Sequence, residues 1–272
     1  MCKAFSCLVT KRNKVYWQAG MDSHSGVQAK FVKEDKQLND NKLPPNNTFA
    51  RIEIVPNNNN YLKPDKWIYK IDENIAPFWL SKRHENSCMK AFKKWEKQVY
   101  LGINMKEALN PIHPFRIKPP KIEKKHLKLL LHWESVRASV EESVWASVWA
   151  SVRASVEESV WDSVWASLRA SVGDSVRASV WESVEESVWD SLWDSVGDSL
   201  KAYQGSLFTN IKKWKYCNFK YKGYPFKDAV KLWKMGLVAS YSTSDKKWRL
   251  HGGKKAKILW EGTLEELKQQ SK

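Results

Sequence analysis

SVRASVEESVWASVWASVRASVEESVWDSV, residues 135–164, opens an array in which serine occupies every fourth position from Ser135 to Ser199, seventeen times, each followed by Val or Leu. The third position varies among Trp, Arg, Glu and Gly, with one Lys at the end, and the fourth among Ala, Asp and Glu. An α-helix turns about 100° per residue, so a strict tetrad drifts by about 40° per repeat and its Ser and Val stripes wind around the axis. Coiled coils need periods near 3.5 or about 3.67, and the array has neither. In a β-solenoid an integer period returns every residue to the same environment, which accounts for constant Ser and Val beside variable neighbours. Segments 136–151 and 152–167 are identical except that Ala146 corresponds to Asp162, so four tetrads would close one square coil. A β-solenoid rod is therefore the preferred expectation. A long α-helix is the alternative, because Ala, Glu and Arg are good helix formers and Leu200, Tyr203 and Leu207 continue at helical spacing.

The array divides the 272-residue chain into a basic α+β domain (1–120), a helical lead-in with the acidic array (121–202) and a small basic α+β module (203–272). Basic residues number 25 against 12 acidic in 1–133, 4 against 13 in 134–200, and 17 against 5 in 201–272. The net +16 is thus two cationic ends around an anionic centre, which points to polyanionic partners or to contact between ends and centre. Cys2, Cys7, Cys88 and Cys217 form no C-x-x-C pair, and no metal-ligand spacing involves His84, His113, His126, His132 or His251. No cofactor or metal is expected on these grounds. A reduced compartment fits this cysteine usage. The opening MCKAFSCLV lacks the apolar segment of a signal peptide, and no run reaches the ~20 apolar residues of a membrane helix, so a soluble chain is expected.

In the head, apolar alternation at 4–9 and 15–17 reads as a hairpin, and 50–55 and 67–71 as further strands. Cys88, Phe92, Trp95 and Val99 fall at helical spacing among lysines, predicting an amphipathic helix near 85–101. The tail predicts a helix over 226–235 stopped by Gly236, a hairpin from 237–241 and 247–251, a strand at 257–260, and a final helix opened by the capping box at Thr263 and Glu266.

Arrays of this S-V-x-x form, with the flanks MCKAFSC, GMDSHS, YPFKDAVKLWKMGLV and WRLHGGKKAKILWEG, resemble proteins of bacteriophages and prophages whose function is not known. The resemblance implies a phage-encoded protein acting in the cytoplasm of the bacterial host, and it transfers no catalytic residue. The layout of Cys2, a strand, a turn, and Met21-Asp22 also looks like the start of N-terminal-nucleophile amidohydrolases, with Cys2, Asp22 and His24 as the candidate catalytic set. Where those enzymes carry Arg just before the Asp, this chain has Gln18-Ala19-Gly20.

Two surfaces are candidates for binding. Trp145, Trp149, Trp161, Trp165, Trp181, Trp189 and Trp193 would form rows along the array, able to stack on a ligand, a partner or a second copy of the chain. In the tail, Lys212, Lys213, Trp214 and Lys215, then Lys246, Lys247, Trp248 and Arg249, and His251, Lys254 and Lys255 interleave cations with rings, the composition of a single-stranded nucleic-acid surface. The function expected is a non-enzymatic accessory protein whose repeat displays basic modules to a host protein or single-stranded nucleic acid. The alternative is a Cys2 amidohydrolase.

Overall fold

Strand β1 (Phe5–Thr10) is buried along its whole length, because its two faces receive different helices. This computed structural model describes residues 5–21, 23–39, 42, 45–59, 61–138, 164–166, 168–182, 189–209 and 223–272. Their contacts group into two compact units, one ending at Gly102 and one beginning at Ile103.

In the first unit, β1, β2 (Val15–Tyr16), β3 (Phe49–Val55) and β4 (Ile68–Ile71) form an antiparallel sheet in the order β2-β1-β3-β4. Leu8, on one face of β1, packs with Tyr16, Val27, Leu38 and Phe49 beside helix α1 (His24–Phe31). Phe5, on the other face, meets Phe92 and Trp95 of helix α2 (Lys82–Tyr100) at ring-centroid distances of 5.6 Å. The expected stripe Cys88, Phe92, Trp95 and Val99 is the buried face of α2. Cys7 and Cys88 are buried free thiols; burial pushes the Cys7 thiol up, away from the reactive thiolate.

The second unit contains helices α3 (Met105–Leu109), α4 (Lys124–Ala138), α5 (Asp174–Trp181), α6 (Trp189–Gly205), α7 (Lys227–Lys234) and α8 (Leu264–Gln270). Its antiparallel sheet has the order β5 (Leu237–Ser242), β6 (Lys247–Gly252), β7 (Lys257–Gly262). The predicted tail elements are all present, including the capping box, where Thr263 N–H donates to Glu266 Oε2 at 2.7 Å. Trp233 and Tyr203 stack at 5.2 Å, and both grip Ile112: its carbonyl accepts from Trp233 Nε1 at 2.8 Å, and its N–H donates to the Tyr203 oxygen at 2.9 Å.

The expected solenoid is overturned. The fold is a mixed α/β one with two small antiparallel sheets, and the array residues that are described form helices, with neither a β-coil nor a rod-like helix among them. Two devices let a four-residue period survive in helical backbone. First, Val164, Leu168, Val172, Val176 and Val180 are all buried although they recur every four residues. A π-helical turn, Arg169–Gly173, runs directly into α5. An α turn takes about 3.6 residues and a π turn, closing i→i+5, more than four, so joining them cancels the drift and holds the apolar stripe on one face. Second, the serines find partners. β5 is an edge strand whose outward backbone groups need cover. Ser195 Oγ accepts from Tyr241 N–H at 2.9 Å and donates to its carbonyl at 3.2 Å, while Ser199 Oγ donates to the Ala239 carbonyl at 3.0 Å. Residues four apart on a helix advance about 6 Å, close to the ~6.7 Å between alternate strand residues, so a tetrad helix can lie along an edge and meet every second residue.

The variable third position follows the same packing. A Cβ placed on Gly173 would stand 3.0 Å from Leu200 Cδ2, and one on Gly197 3.3 Å from Arg177 Nη2, so glycine occurs where α6 passes close to its neighbours.

Candidate functional site

His24 is the first residue of α1, whose N-cap Ser23 accepts from Gly26 N–H at 3.2 Å. Its ring is buried, 7% exposed, and both nitrogens are directed by the sheet. Nε2 lies 3.1 Å from the Ile52 carbonyl of β3, and Nδ1 lies 3.1 Å from Asp72 Oδ2, just beyond β4. Glu53 follows Ile52 on β3, and ligand atoms of His24, Glu53 and Asp72 all lie within 4.8 Å of one another. Of the amidohydrolase set, Cys2 and Asp22 lie outside the described residues, and the two nitrogens of His24 already face an internal carbonyl and a carboxylate. Sequence inspection singled out His24 and missed Glu53 and Asp72. Their only local signals were an acidic residue inside an apolar strand and one immediately after another strand.

The tail residues separate into two kinds. Lys246, Lys254 and Lys255 are exposed at the two hairpin turns, with Lys246 at φ 56°. Trp248, Arg249 and His251 are buried. Arg249 pairs with Asp245 and, at 3.3 Å, with Glu261; Lys247 reaches Glu261 at 3.4 Å. Both faces of β6 are covered from Trp248 to Gly252, so Trp248, Arg249 and His251 are all turned away from solvent while Lys246, Lys254 and Lys255 at the turns remain outside. Lys212, Lys213, Trp214 and Lys215 lie outside the described residues. So do Trp145, Trp149 and Trp161 of the array. Trp165 is half-buried, Trp181 is 39% exposed, and Trp189 and Trp193 lie on α6.

His251 is a structural group. Its Nδ1–H donates to the Ala256 carbonyl at 3.1 Å, and Nε2 accepts from the Ser240 hydroxyl at 2.7 Å. Burial pulls its pKa down to about 4 from the ordinary 6.5. The neutral ring is the native form, whereas the unfolded chain takes up a proton below about pH 6.5. Stability from this residue is therefore complete above that pH and declines as pH falls towards 4, by up to about 3 kcal/mol. Urea titrations at stepped pH should show this decline in the wild type and a shallower one in His251→Gln. Equal slopes would contradict it.

A more complete surface lies between α4 and α7. These helices pack side by side and leave a groove of about 480 Å³ lined by Leu129, Val230 and Met235, with Lys125, Lys231 and Lys234 at its rim. Lys125 pairs with Glu123 at 2.8 Å, Lys231 with Asp228 at 3.0 Å, and Lys234 with Glu107 at 2.8 Å. Lys124, Lys128 and Lys227, exposed on the same two helices, have no carboxylate partner among the described residues, so the surface keeps a cationic excess.

Comparison of the chain with protein-family models, curated proteins and solved structures found no match. Among the described residues, no helix is long and apolar enough to cross a membrane.

Proposed function

We propose that this chain is a phage-encoded, non-enzymatic accessory protein whose second unit binds an acidic amphipathic segment of a host protein along α4 and α7. The observation carrying this reading is the groove itself: an apolar floor of Leu129, Val230 and Met235 under a lysine rim. An amphipathic helix lays its apolar face into such a groove and sets its carboxylates against the rim. Single-stranded nucleic acid asks instead for exposed rings on which bases stack, and among the described residues Trp248, beside Lys246, Lys247 and Arg249, and Trp233, between Lys231 and Lys234, are buried. Of the two partner classes read from the sequence, the protein is therefore favoured.

The test is fluorescence anisotropy with the full-length chain, using a labelled Leu/Glu amphipathic helical peptide and, separately, a labelled single-stranded oligonucleotide. The peptide should bind more tightly. Lys125→Glu with Lys231→Glu should weaken it by at least about tenfold, because reversed rim charges repel its carboxylates. Both lysines are exposed, and circular dichroism of the double variant should show the fold intact. Preference for the oligonucleotide, or binding indifferent to the reversal, would overturn this reading.

A further inference from the structure

The geometry points to a divalent-cation site in the first unit, formed by His24 Nδ1 and the carboxylates of Glu53 and Asp72. It is independent of the groove and of the reading built on it. A carbonyl oxygen can only accept, so the 3.1 Å contact between His24 Nε2 and Ile52 puts a proton on Nε2 and leaves Nδ1 as the ligand atom when the ring is neutral. Nδ1 then presents a lone pair at 3.1 Å from an Asp72 oxygen that is also an acceptor. Two acceptors at that distance need a proton or a cation between them. A carbonyl holding the far nitrogen of a histidine is also the usual second-layer support of a metal ligand, because it sets the tautomer and aims the ring.

The third group distinguishes a metal site from a simple histidine–aspartate pair. Glu53 brings a second carboxylate, with ligand atoms of all three groups inside 4.8 Å. Among the described residues no ion pair neutralises it: Arg51, two residues before it on β3, is turned to Glu73 at 3.2 Å, and none joins Glu53 to Lys70, its cross-strand partner. One divalent ion balances two carboxylates where one proton does not. Each ligand residue is anchored through its backbone. His24 is held by α1 and its cap, and Glu53 by a strand paired on both edges. Asp72 is anchored by its own N–H, which donates to the Arg51 carbonyl at 2.9 Å. Asp72 is also 51% exposed, so an ion can enter from solvent and complete its shell with water. One imidazole with two carboxylates suits first-row divalent ions such as Mn²⁺ better than Ca²⁺, and the absence of a thiolate removes the preference for softer metals.

The experiment uses the full-length chain stripped with chelator and titrated with Mn²⁺, chosen because the chain's cysteines would also take up Zn²⁺. Isothermal calorimetry and Mn²⁺ electron paramagnetic resonance should report one equivalent bound. Asp72→Asn and Glu53→Gln should each weaken it by about tenfold or more, while His113→Gln in the second unit leaves it unchanged. Because a variant at a buried position can fail to fold, a second readout uses the wild type alone: the ring ¹⁵N signals of His24 should broaden with substoichiometric Mn²⁺ before those of the other histidines. No stoichiometric uptake at millimolar Mn²⁺, binding that survives both carboxylate variants, or broadening centred on another histidine would each overturn the site.

Discussion

Trp95→Ala should lower the stability of the first unit by about 4 kcal/mol, the cost of removing a large aromatic from a closed core. Trp95 is 1% exposed and sits at the centre of a ring cluster. It stacks on Phe92 at 5.5 Å and 22°, and meets Phe5 and Trp67 at 5.6 Å and Tyr100 at 6.2 Å. These partners come from β1, from the approach to β4 and from α2, so one truncation loosens the packing between helix and sheet. Alanine leaves a void that rigid neighbours cannot close, and the rings also lose their mutual electrostatic preference. Chemical denaturation followed by circular dichroism is the measurement, since sixteen tryptophans confuse fluorescence. Phe78→Ala, at a residue 70% exposed, serves as the control and should change stability by no more than about 0.5 kcal/mol. A Trp95→Ala loss near that of the control would mean the cluster does not hold α2 on the sheet.

Val196→Asp should be comparably damaging in the second unit, costing about 3 kcal/mol or more. Val196 is buried on α6 next to Ser195, whose hydroxyl serves the edge of β5. A carboxylate there is desolvated at a position 2% exposed, and Arg137 and Lys201, the cations paired at this end of α6, already face Asp198 at 3.1 and 3.4 Å. The helix must either carry a neutralised acid or lift from β5. Lifting would strip the Tyr241 and Ala239 backbone groups of their serine partners, at roughly 1–3 kcal/mol for each buried group left unsatisfied. Ala178→Asp, at an exposed position of α5 in the same array, should be nearly silent in the same urea melts. Equal tolerance at 196 and 178 would place both residues at the surface and refute the docking of α6.

Much of the secondary structure was legible because it is written locally. The α2 stripe, the alternation in β3, Gly236 behind α7, and the Thr263 capping box each depend on residues within a turn or two of one another. The candidate cation site was not. His24, Glu53 and Asp72 are brought together only when β3 pairs with β4 and α1 lies against the sheet, and no spacing in the chain announces that meeting. The basic tail was half legible: composition located its charge, but the burial of both faces of the central strand β6 decided that Trp248, Arg249 and His251 lie inside and the turn lysines outside.

The array divides the two kinds of information most clearly. By itself the sequence determined that Ser and Val recur every four residues, that the centre is acidic between basic ends, and which neighbours may vary. It left the backbone undecided, because an integer period of four satisfies a square β-coil perfectly and an ideal α-helix only approximately. Tertiary structure made the choice. A π turn absorbs the drift that an isolated helix would accumulate, and an exposed strand edge offers unsatisfied backbone groups at nearly the rise of one tetrad, so serines that gain nothing over water in a lone helix gain fixed partners against β5. Those stabilising terms exist only once two distant segments meet, and a one-dimensional pattern contains neither of them.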